Sequence, residues 1–411
     1  MRILGCIVWH LQTRKTTQID SLRSNVIYLA MKKIIIAPDS FKGSLSASEV
    51  ANAIEDGIKK VFSNCETIKT PIADGGEGTM DLLVNALGGR KVKVKVHDPL
   101  MRLIDVEYGL VNDGKTAIIE IAVACGITLL SKQEQDPSET TTYGVGEMIK
   151  DALKRGCRSF LIGIGGSATN DGGTGMLRAL GYQFLDKSGK ETNGTGKALH
   201  SICSIDASEV MLEIKDANFI IACDVNNPFS GQNGAAYIYA AQKGATEQMT
   251  KGLDEGMENF RKLIETEKNI DLNTVAGAGA AGGLGGGLVA FLKAQLKPGI
   301  EMMLEAVNFE KQLQNADLVI TGEGKIDAQT VMGKAASGIL DAASKSSVPV
   351  IALSGSIENV EDLNKRGFVS IFSVVPYPMS IEDAMQKDCA KRNITQTTEQ
   401  IMRTIKTFKK E

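Results

Sequence analysis

The sequence predicts an α/β protein in which five parallel strands form one doubly wound sheet and the middle of the chain forms an inserted α/β domain with a mixed sheet. Three observations support this prediction. Near residue 33 and again beyond about residue 300, apolar runs alternate with helical segments, which is typical of a parallel sheet covered on both faces. Between these regions apolar residues recur at every second position, which favours antiparallel strands. The length of 411 residues fits two or three domains, and we expect two.

The first predicted elements are a buried strand, KIIIA at 33 to 37, and a helix over 46 to 62. Ser46 stands three residues before Glu49, which is the spacing of a capping box, and apolar residues then recur at helical intervals. The next strand and helix are predicted at 67 to 73 and 78 to 87. These four elements indicate a βαβα unit.

The middle of the chain is predicted to begin with antiparallel strands at 91 to 99, 105 to 111 and 116 to 122. Further strands are expected at 160 to 164 and 219 to 224, and helices near 144 to 155, after Asp171, and over 247 to 267.

Parallel strands are predicted again at 316 to 321, 349 to 355 and 369 to 375. The most economical arrangement joins them to the two N-terminal strands in a single sheet. The predicted limits are therefore 31 to 90 with 299 to 411 for a discontinuous domain, and 91 to 298 for the inserted domain.

Composition excludes several classes of protein. The formal charge of −3 gives no electrostatic reason to bind nucleic acid or an anionic membrane. Seven dispersed cysteines without a CxxC pair indicate neither a disulfide framework nor a zinc site. No apolar run reaches the length of a membrane span. We expect a soluble protein of the reducing cytoplasm.

Glycine-rich segments that also carry acids or amides follow several predicted strands: 36 to 44, 72 to 79, 162 to 175 and 321 to 330. Glycine lets backbone N–H groups approach anionic oxygens, and carboxylates at strand ends can hold Mg²⁺ or accept a proton from an alcohol. Phosphoryl transfer needs both kinds of group. The sequence therefore predicts a phosphoryl-transfer site at the carboxyl ends of the strands.

Known kinase motifs are absent, since there is no Walker loop and no HRD or DFG segment. Two segments, at 163 to 168 and 277 to 282, imitate the dinucleotide fingerprint, so an NAD enzyme is one alternative. Neither segment lies in a βαβ unit with an acid at the expected spacing. A regulator that senses a nucleotide or a small acid is a second alternative, although no basic helix-turn-helix is evident.

Long contiguous motifs resemble the type I glycerate kinases of bacteria: IIIAPDSFKGSLSA, PIADGGEGT, TTYGVGEMI, IGIGGSATNDGGTGM, ACDVNNPFSG, QKGAT, AGGLGGGL and TGEGKIDAQT. The resemblance extends from about Met31 to the C-terminus. Residues 1 to 30 are an upstream extension that we expect to be poorly ordered, or the product of a misassigned start. A start at Met1 in the native protein, shown by mass spectrometry, would contradict the misassignment.

The resemblance implies a flavodoxin-like discontinuous domain, an inserted second domain and an active site in the cleft between them. It also implies ATP and Mg²⁺ as cosubstrates and D-glycerate as acceptor, with 2-phosphoglycerate as the favoured product. A kinase for another small hydroxy acid is the main alternative, and a homo-oligomer is left open.

The candidate site residues come from the strand ends and glycine-rich loops. Catalytic roles are predicted for Asp39, Lys42 and Asp224, with either Asp39 or Asp224 as the base. Substrate contacts are predicted for Ser40, Asp74, Glu77, Asn170 and Asp171, nucleotide contacts for Gly165, Gly166, Ser167, Gly282, Gly283 and Lys325, and metal binding for Glu323 and Asp327.

Overall fold

The structure is a computed structural model and describes residues 31–73, 78–326 and 335–408. The predicted extension over residues 1 to 30 lies outside the described residues. The strands are β1 Lys33–Pro38, β2 Glu66–Lys69, β3 Arg90–His97, β4 Leu103–Val111, β5 Thr116–Glu120, β6 Ser159–Gly163, β7 Gln183–Leu185, β8 Ser204–Asp206, β9 Asn218–Ala222, β10 Gln295–Lys297, β11 Leu318–Ile326, β12 Val350–Ile357 and β13 Ser370–Ser373.

The α-helices are α1 Ala47–Lys59, α2 Thr79–Ala86, α3 Ala122–Cys125, α4 Tyr143–Lys154, α5 Thr174–Ala179, α6 Ala235–Tyr239, α7 Glu247–Lys268, α8 Leu284–Leu292, α9 Gly299–Ala306, α10 Phe309–Leu313, α11 Ala335–Lys345, α12 Val360–Arg366, α13 Ile381–Met385 and α14 Lys387–Phe408. Short 3-10 helices cover Ile127–Leu129, Gly196–Ser201, Leu212–Asp216, Ala241–Lys243 and Leu272–Thr274. Within the described part of the chain, no helix combines the length and the apolar character needed to cross a bilayer.

The chain divides into two compact units. The first unit comprises Met1–Lys69, Gln312–Val331 and Ala343–Glu411, and the second comprises Thr70–Lys311 and Met332–Ala342. The domain limits given above remain a prediction.

The sheet of the first unit has five parallel strands in the order β13-β12-β11-β1-β2. Counted along this unit alone, the order is 2-1-3-4-5, which is the flavodoxin-like arrangement. The central pair joins distant parts of the chain, since Ile34 lies opposite Leu318 and Pro38 lies opposite Gly322. The predicted five-stranded parallel sheet is confirmed.

One expectation about this sheet is wrong. The segment after residue 321 was expected to leave the sheet as a loop, but β11 continues through Gly322 to Ile326. The reason is that β12 also continues, so that Glu323 lies opposite Ser354 and Lys325 lies opposite Ser356. The glycines and charged residues of this motif are therefore held on a strand.

The sheet of the second unit has six strands in the order β10-β9-β6-β5-β4-β3. The pairs β3/β4 and β4/β5 are antiparallel, as predicted, whereas β5, β6, β9 and β10 run parallel to one another. The predicted mixed sheet is confirmed. The carboxyl ends of β6, β9 and β10 meet at one edge.

Helix α1 begins with the predicted capping box. The backbone N–H of Glu49 donates to Ser46 Oγ at 3.3 Å, and the backbone N–H of Ser46 donates to Glu49 Oε2 at 2.8 Å. The apolar face of the helix, including Val50 and Ile54, is buried. The helix is therefore closed at its start and packed along one side, as the sequence pattern indicates.

Replacing Ser46 with Ala is expected to destabilise the protein by about 1 kcal/mol, because the N–H of Glu49 loses its capping acceptor. Chemical denaturation followed by far-UV circular dichroism measures the change. The control is Ser208→Ala, because Ser208 is exposed in a turn and caps no α-helix. Equal midpoints for S46A and wild type would contradict the prediction.

Candidate functional site

In the first unit, the candidate site lies where the chain leaves β1. Strand β1 has β2 on one side and β11 on the other, so the connections that follow β1 and β11 diverge at this point. Such a topological switch opens a crevice beyond the carboxyl ends of the strands, where open α/β sheets bind ligands. Asp39, Ser40 and Lys42 follow β1 directly.

The residues after β1 are held by backbone hydrogen bonds. The N–H of Asp39 donates to Gly322 O at 2.8 Å, and the N–H of Ser40 donates to Asp39 Oδ1 at 2.5 Å. The following turn closes through two N–H donors, Ser44 and Leu45, which both bond to Phe41 O. Asp39 is only 9% exposed, so a fixed carboxylate lies at the end of β1. Lys42 is exposed in the turn.

Strand β11 runs beside this turn. A Cβ added to Gly324 would lie 3.4 Å from Phe41 Cα and 3.5 Å from Lys42 N, which are ordinary contact distances, so this part of β11 lies against the turn. Glu323 is one position beyond Gly322, whose carbonyl accepts from Asp39. Asp39, which follows β1, and Glu323, which lies within β11, therefore come from two separate motifs on adjacent strands.

Lys325 is engaged within the first unit. Its Nζ lies 3.0 Å from Glu358 Oε1, and both side chains are about half exposed. Exposed pairs of this kind stabilise weakly. Its predicted contact with nucleotide remains a prediction. The predicted residues Asp74, Glu77 and Asp327 lie outside the described residues.

The second unit contains a cavity of about 510 Å³ beyond the ends of β6 and β9. Most of its wall is apolar, with a few polar groups, which is the usual composition of a small-molecule site. The lining residues are Ile127, Ile164, Gly165, Gly166, Ser167, Ala222, Cys223, Asp224, Val225, Tyr239, Gln242, Lys243, Ala280 and Ala281. Four predicted residues, Gly165, Gly166, Ser167 and Asp224, therefore share one cavity.

Asp224 follows β9 and is exposed at the cavity wall. Its Oδ1 accepts a hydrogen bond from the backbone N–H of Gly299 at 2.9 Å, at the first residue of α9. A carboxylate is favoured at a helix N-terminus, where N–H groups are unpaired. This contact fixes the orientation of a side chain for which catalysis was predicted.

The loop of Gly165, Gly166 and Ser167 follows β6 and is hydrogen-bonded to the segment 125–127. The N–H of Ile127 donates to Gly166 O at 2.9 Å, and the N–H of Ala168 donates to Cys125 O at 2.8 Å. Gly166 has a φ of 74°, which other residues rarely adopt. Gly165 and Gly166 are both exposed to the cavity.

Lys243 was not predicted as a site residue, yet it lies in the cavity wall with only 3% exposure. Its Nζ donates to Ser167 Oγ at 2.9 Å and to Thr169 O at 2.7 Å. Burial lowers the pKa of Lys243 to about 8, an effect that the nearby Cys125 and Asp171 oppose. The available sequence indication was its position inside the QKGAT motif.

Asp171 is fully buried and organises the loop from within. Its carboxylate accepts from Thr142 N–H at 2.8 Å, from Thr142 Oγ1 at 2.7 Å, and from the N–H groups of Gly173 and Gly175, both at 3.1 Å. Desolvation raises the pKa of Asp171, and these hydrogen bonds oppose the shift.

Asn170 is also buried, and its Nδ2 donates to Met257 Sδ at 3.1 Å. Neither Asn170 nor Asp171 is part of the cavity wall described above. Their substrate contacts remain predictions.

Gly282 and Gly283 pack against the same loop from the other side. The N–H of Gly172 donates to Gly282 O at 3.0 Å. A Cβ at Gly282 would lie 2.0 Å from Thr169 O, and one at Gly283 would lie 2.7 Å from Met257 Cε. These glycines allow close backbone packing, and their contact with nucleotide remains a prediction.

Metal-binding groups are sparse in the described ranges, where no three His, Cys, Asp or Glu side chains gather as a metal site would require. Magnesium needs fewer protein ligands than such a site provides, because it is often bound by one or two carboxylates together with substrate phosphates. Asp39 follows β1 and Glu323 lies on the adjacent strand β11, so the first unit offers two carboxylates on neighbouring strands for that lesser requirement.

Comparison with known proteins gives consistent results. Residues 34–406 match the model of the glycerate kinase family. A glycerate kinase of Halalkalibacterium halodurans is 46% identical over 370 residues, covering 89% of this chain and 97% of that protein. A glycerate 2-kinase of Escherichia coli is 42% identical over 371 residues, covering 89% of this chain and 97% of that protein. The crystal structure of a putative glycerate kinase 2 from Salmonella typhimurium superimposes with a TM-score of 0.84 at 42% identity, covering 92% of this chain and 98% of that one.

Proposed function

Because this chain belongs to the glycerate kinase family, we propose that it transfers the γ-phosphoryl group of ATP to a hydroxyl of D-glycerate. The observation that carries the proposal is the pair of sites just described. A fixed carboxylate follows strand β1 of the first unit, and a cavity with exposed backbone glycines and a lysine lies in the second. Positioning and neutralisation of charge are the two requirements of phosphoryl transfer.

The proposed product is 2-phosphoglycerate. Its support is the similarity to the Escherichia coli protein named glycerate 2-kinase. A kinase acting on another small hydroxy acid is the alternative, because the glycine-rich loops specify phosphate better than they specify the acceptor. The reaction is proposed to take place in the cytoplasm.

Asp39 is the proposed base that accepts the proton of the acceptor hydroxyl, and Asp224 is the alternative base. Lys42 would offset charge on the transferred group, and Ser40 would bind the carboxylate of glycerate. Glu323, with Asp327, would hold Mg²⁺, which would neutralise charge on the phosphates of ATP. Asp74 and Glu77 are proposed to contact the substrate.

The test is a coupled assay that measures ADP formation from MgATP with D-glycerate, L-glycerate or glycolate as acceptor. We expect turnover at least about 100-fold higher with D-glycerate, because a site that pairs a substrate hydroxyl rejects acceptors that leave its polar groups unpaired. NMR of the product then identifies the phosphorylated hydroxyl. Faster turnover with glycolate would favour the alternative acceptor, and a 3-phosphoglycerate product would contradict the proposed regiochemistry.

A further inference from the structure

We infer that Lys243 and the backbone amides of Gly165, Gly166 and Ser167 form a phosphate-binding site in the second unit, so that its cavity takes the phosphates of a nucleotide. The inference deepens the proposed function and rests on it. It assigns a ligand class to the cavity and adds a residue that binds that ligand.

Lys243 is buried with no described carboxylate in contact with its ammonium group, although the buried Asp171 lies near enough to favour the charge. A buried ammonium group is costly unless it is paired. In the described part of the chain Nζ of Lys243 donates to two neutral oxygens, Ser167 Oγ and Thr169 O, and forms no ion pair with a carboxylate. An ammonium group has three N–H donors, so one remains for a ligand in the cavity that the residue lines.

Three backbone amides near Lys243 are free to bind an anion. No described residue accepts from the backbone N–H groups of Gly165, Gly166 and Ser167, although the carbonyl of Gly166 and the N–H of Ala168 are both bonded. Gly166 has a positive φ, and successive amides around such a residue form a concave anion site. Lys243 reaches Ser167 Oγ, so the positive charge and the unpaired amides belong to one loop.

The size of the cavity also favours a nucleotide. The cavity of about 510 Å³ has mostly apolar walls that include Tyr239 and Ala280. Such a volume lies within the range of sites that enclose a drug-sized ligand. A three-carbon acid leaves most of this space empty, whereas a nucleoside fills the apolar part and places its phosphates at the polar end.

A charged ligand would also change the protonation of the lysine. Its lowered pKa of about 8 leaves a share of the free protein neutral at pH 8, and a bound phosphate favours the ammonium form. The other titratable groups around it are Cys125, Asp171, Cys223, Asp224 and Tyr239. Burial raises the pKa of both thiols and of the phenol, so these three stay neutral near pH 8.

The experiment is isothermal titration calorimetry of MgADP, adenosine and D-glycerate with wild type, Lys243→Met and Lys251→Met. Methionine keeps most of the length of the side chain and removes the charge. Lys251 is exposed on α7, which makes K251M a matched control. We expect K243M to bind MgADP about 10- to 100-fold more weakly, because a hydrogen bond to a charged group is lost, while adenosine and D-glycerate bind as they do to wild type.

Each contrary outcome overturns the inference. Unchanged MgADP affinity in K243M removes the lysine from the phosphate site. An equal loss for adenosine and MgADP shows that the residue only maintains the cavity. A loss confined to D-glycerate shows that the anion is the acceptor carboxylate. The proposed function is judged separately, by wild-type turnover of D-glycerate with MgATP.

A second measurement covers the case in which K243M does not fold. Titrating MgADP into wild type at pH 8, in buffers with different ionisation enthalpies, gives the number of protons taken up on binding. We expect an uptake of up to about half a proton, because a group at its pKa is half protonated before the anion binds. The titration is repeated at pH 10, because the ordinary pKa of a lysine is about 10.4. Zero uptake at both pH 8 and pH 10 would overturn the inference.

Discussion

Asp39→Asn is expected to lower kcat with D-glycerate by about 100-fold or more, since general-base catalysis contributes about 10²- to 10⁴-fold. Asparagine keeps the shape of the side chain and can still accept from the N–H of Ser40, but it cannot take a proton from the acceptor hydroxyl. The backbone bond from Asp39 to Gly322 O is preserved in the variant, so the strand end should keep its position. Steady-state ADP release measures kcat and KM separately.

The control for this variant is Asp56→Asn, an exposed acid on α1 in the same unit. We expect D56N to turn over like wild type. If D39N folds and its kcat is unchanged, Asp39 is not the base, and the equivalent substitution Asp224→Asn becomes the test of the remaining candidate. A decrease in D39N that appears only in KM would assign Asp39 to binding of the substrate.

Gly282→Ala is expected to be the most destabilising single-methyl change in the glycine-rich segment that precedes α8. The new Cβ would lie 2.0 Å from Thr169 O and 2.7 Å from Asn170 Cα, and both are backbone atoms that cannot rotate away. The residue also has a φ of 68°, where a Cβ adds about 1 to 2 kcal/mol. Together with overpacking of about 1 to 3 kcal/mol, this predicts a melting temperature lower by about 4 to 10 °C.

Gly189→Ala separates the two causes. Gly189 has a φ of 81°, but a Cβ there meets nothing within 4 Å, so G189A carries the backbone cost alone. We expect its melting temperature to fall by about 2 to 4 °C. The Gly282 variant should also lose affinity for MgADP, because Thr169 O is the oxygen that Lys243 bonds. Equal decreases in melting temperature for G282A and G189A would contradict the prediction, because the contact with Thr169 O would then add no destabilisation.

The elements that could be predicted from the sequence are those whose patterning is local. The strand at 33 to 37 and the helix from Ser46 follow from an apolar run and a capping box, and both lie within three residues of the observed limits. The alternation in the antiparallel strands β3 and β4 was equally clear. In contrast, the short strands β7, β8 and β10 have only three residues each, too few to show a period.

Site residues could be predicted where a polar or charged side chain and a glycine stand in one sequence motif. They could not be predicted where their position depends on a contact with a distant part of the chain. Asp224 and the Gly165 loop share a cavity because β6 and β9, the strands that precede them, are adjacent and parallel. Both strands were expected from the sequence. Lys243 could not be found in this way, because a lysine in a short helical segment resembles a solvated one until its burial is known. The sequence also did not show that Asp171 is buried and bonds the amides of its own loop, and its contact with substrate stays a prediction.

The central sheet of the first unit imposes an order on biosynthesis. Thr321 donates its hydroxyl to the carbonyl of Ala37 across 284 residues of sequence, so β1 cannot meet its neighbour β11 until about three quarters of the polypeptide has been translated. At about 5 to 20 residues per second, the ribosome needs roughly 14 to 57 s to deliver that partner. During this interval the apolar segment KIIIAP has an open edge, while the stretch Thr70–Lys311, which makes up most of the second unit, emerges before that partner. The emerging protein therefore depends longest on chaperones for the strand that was made first.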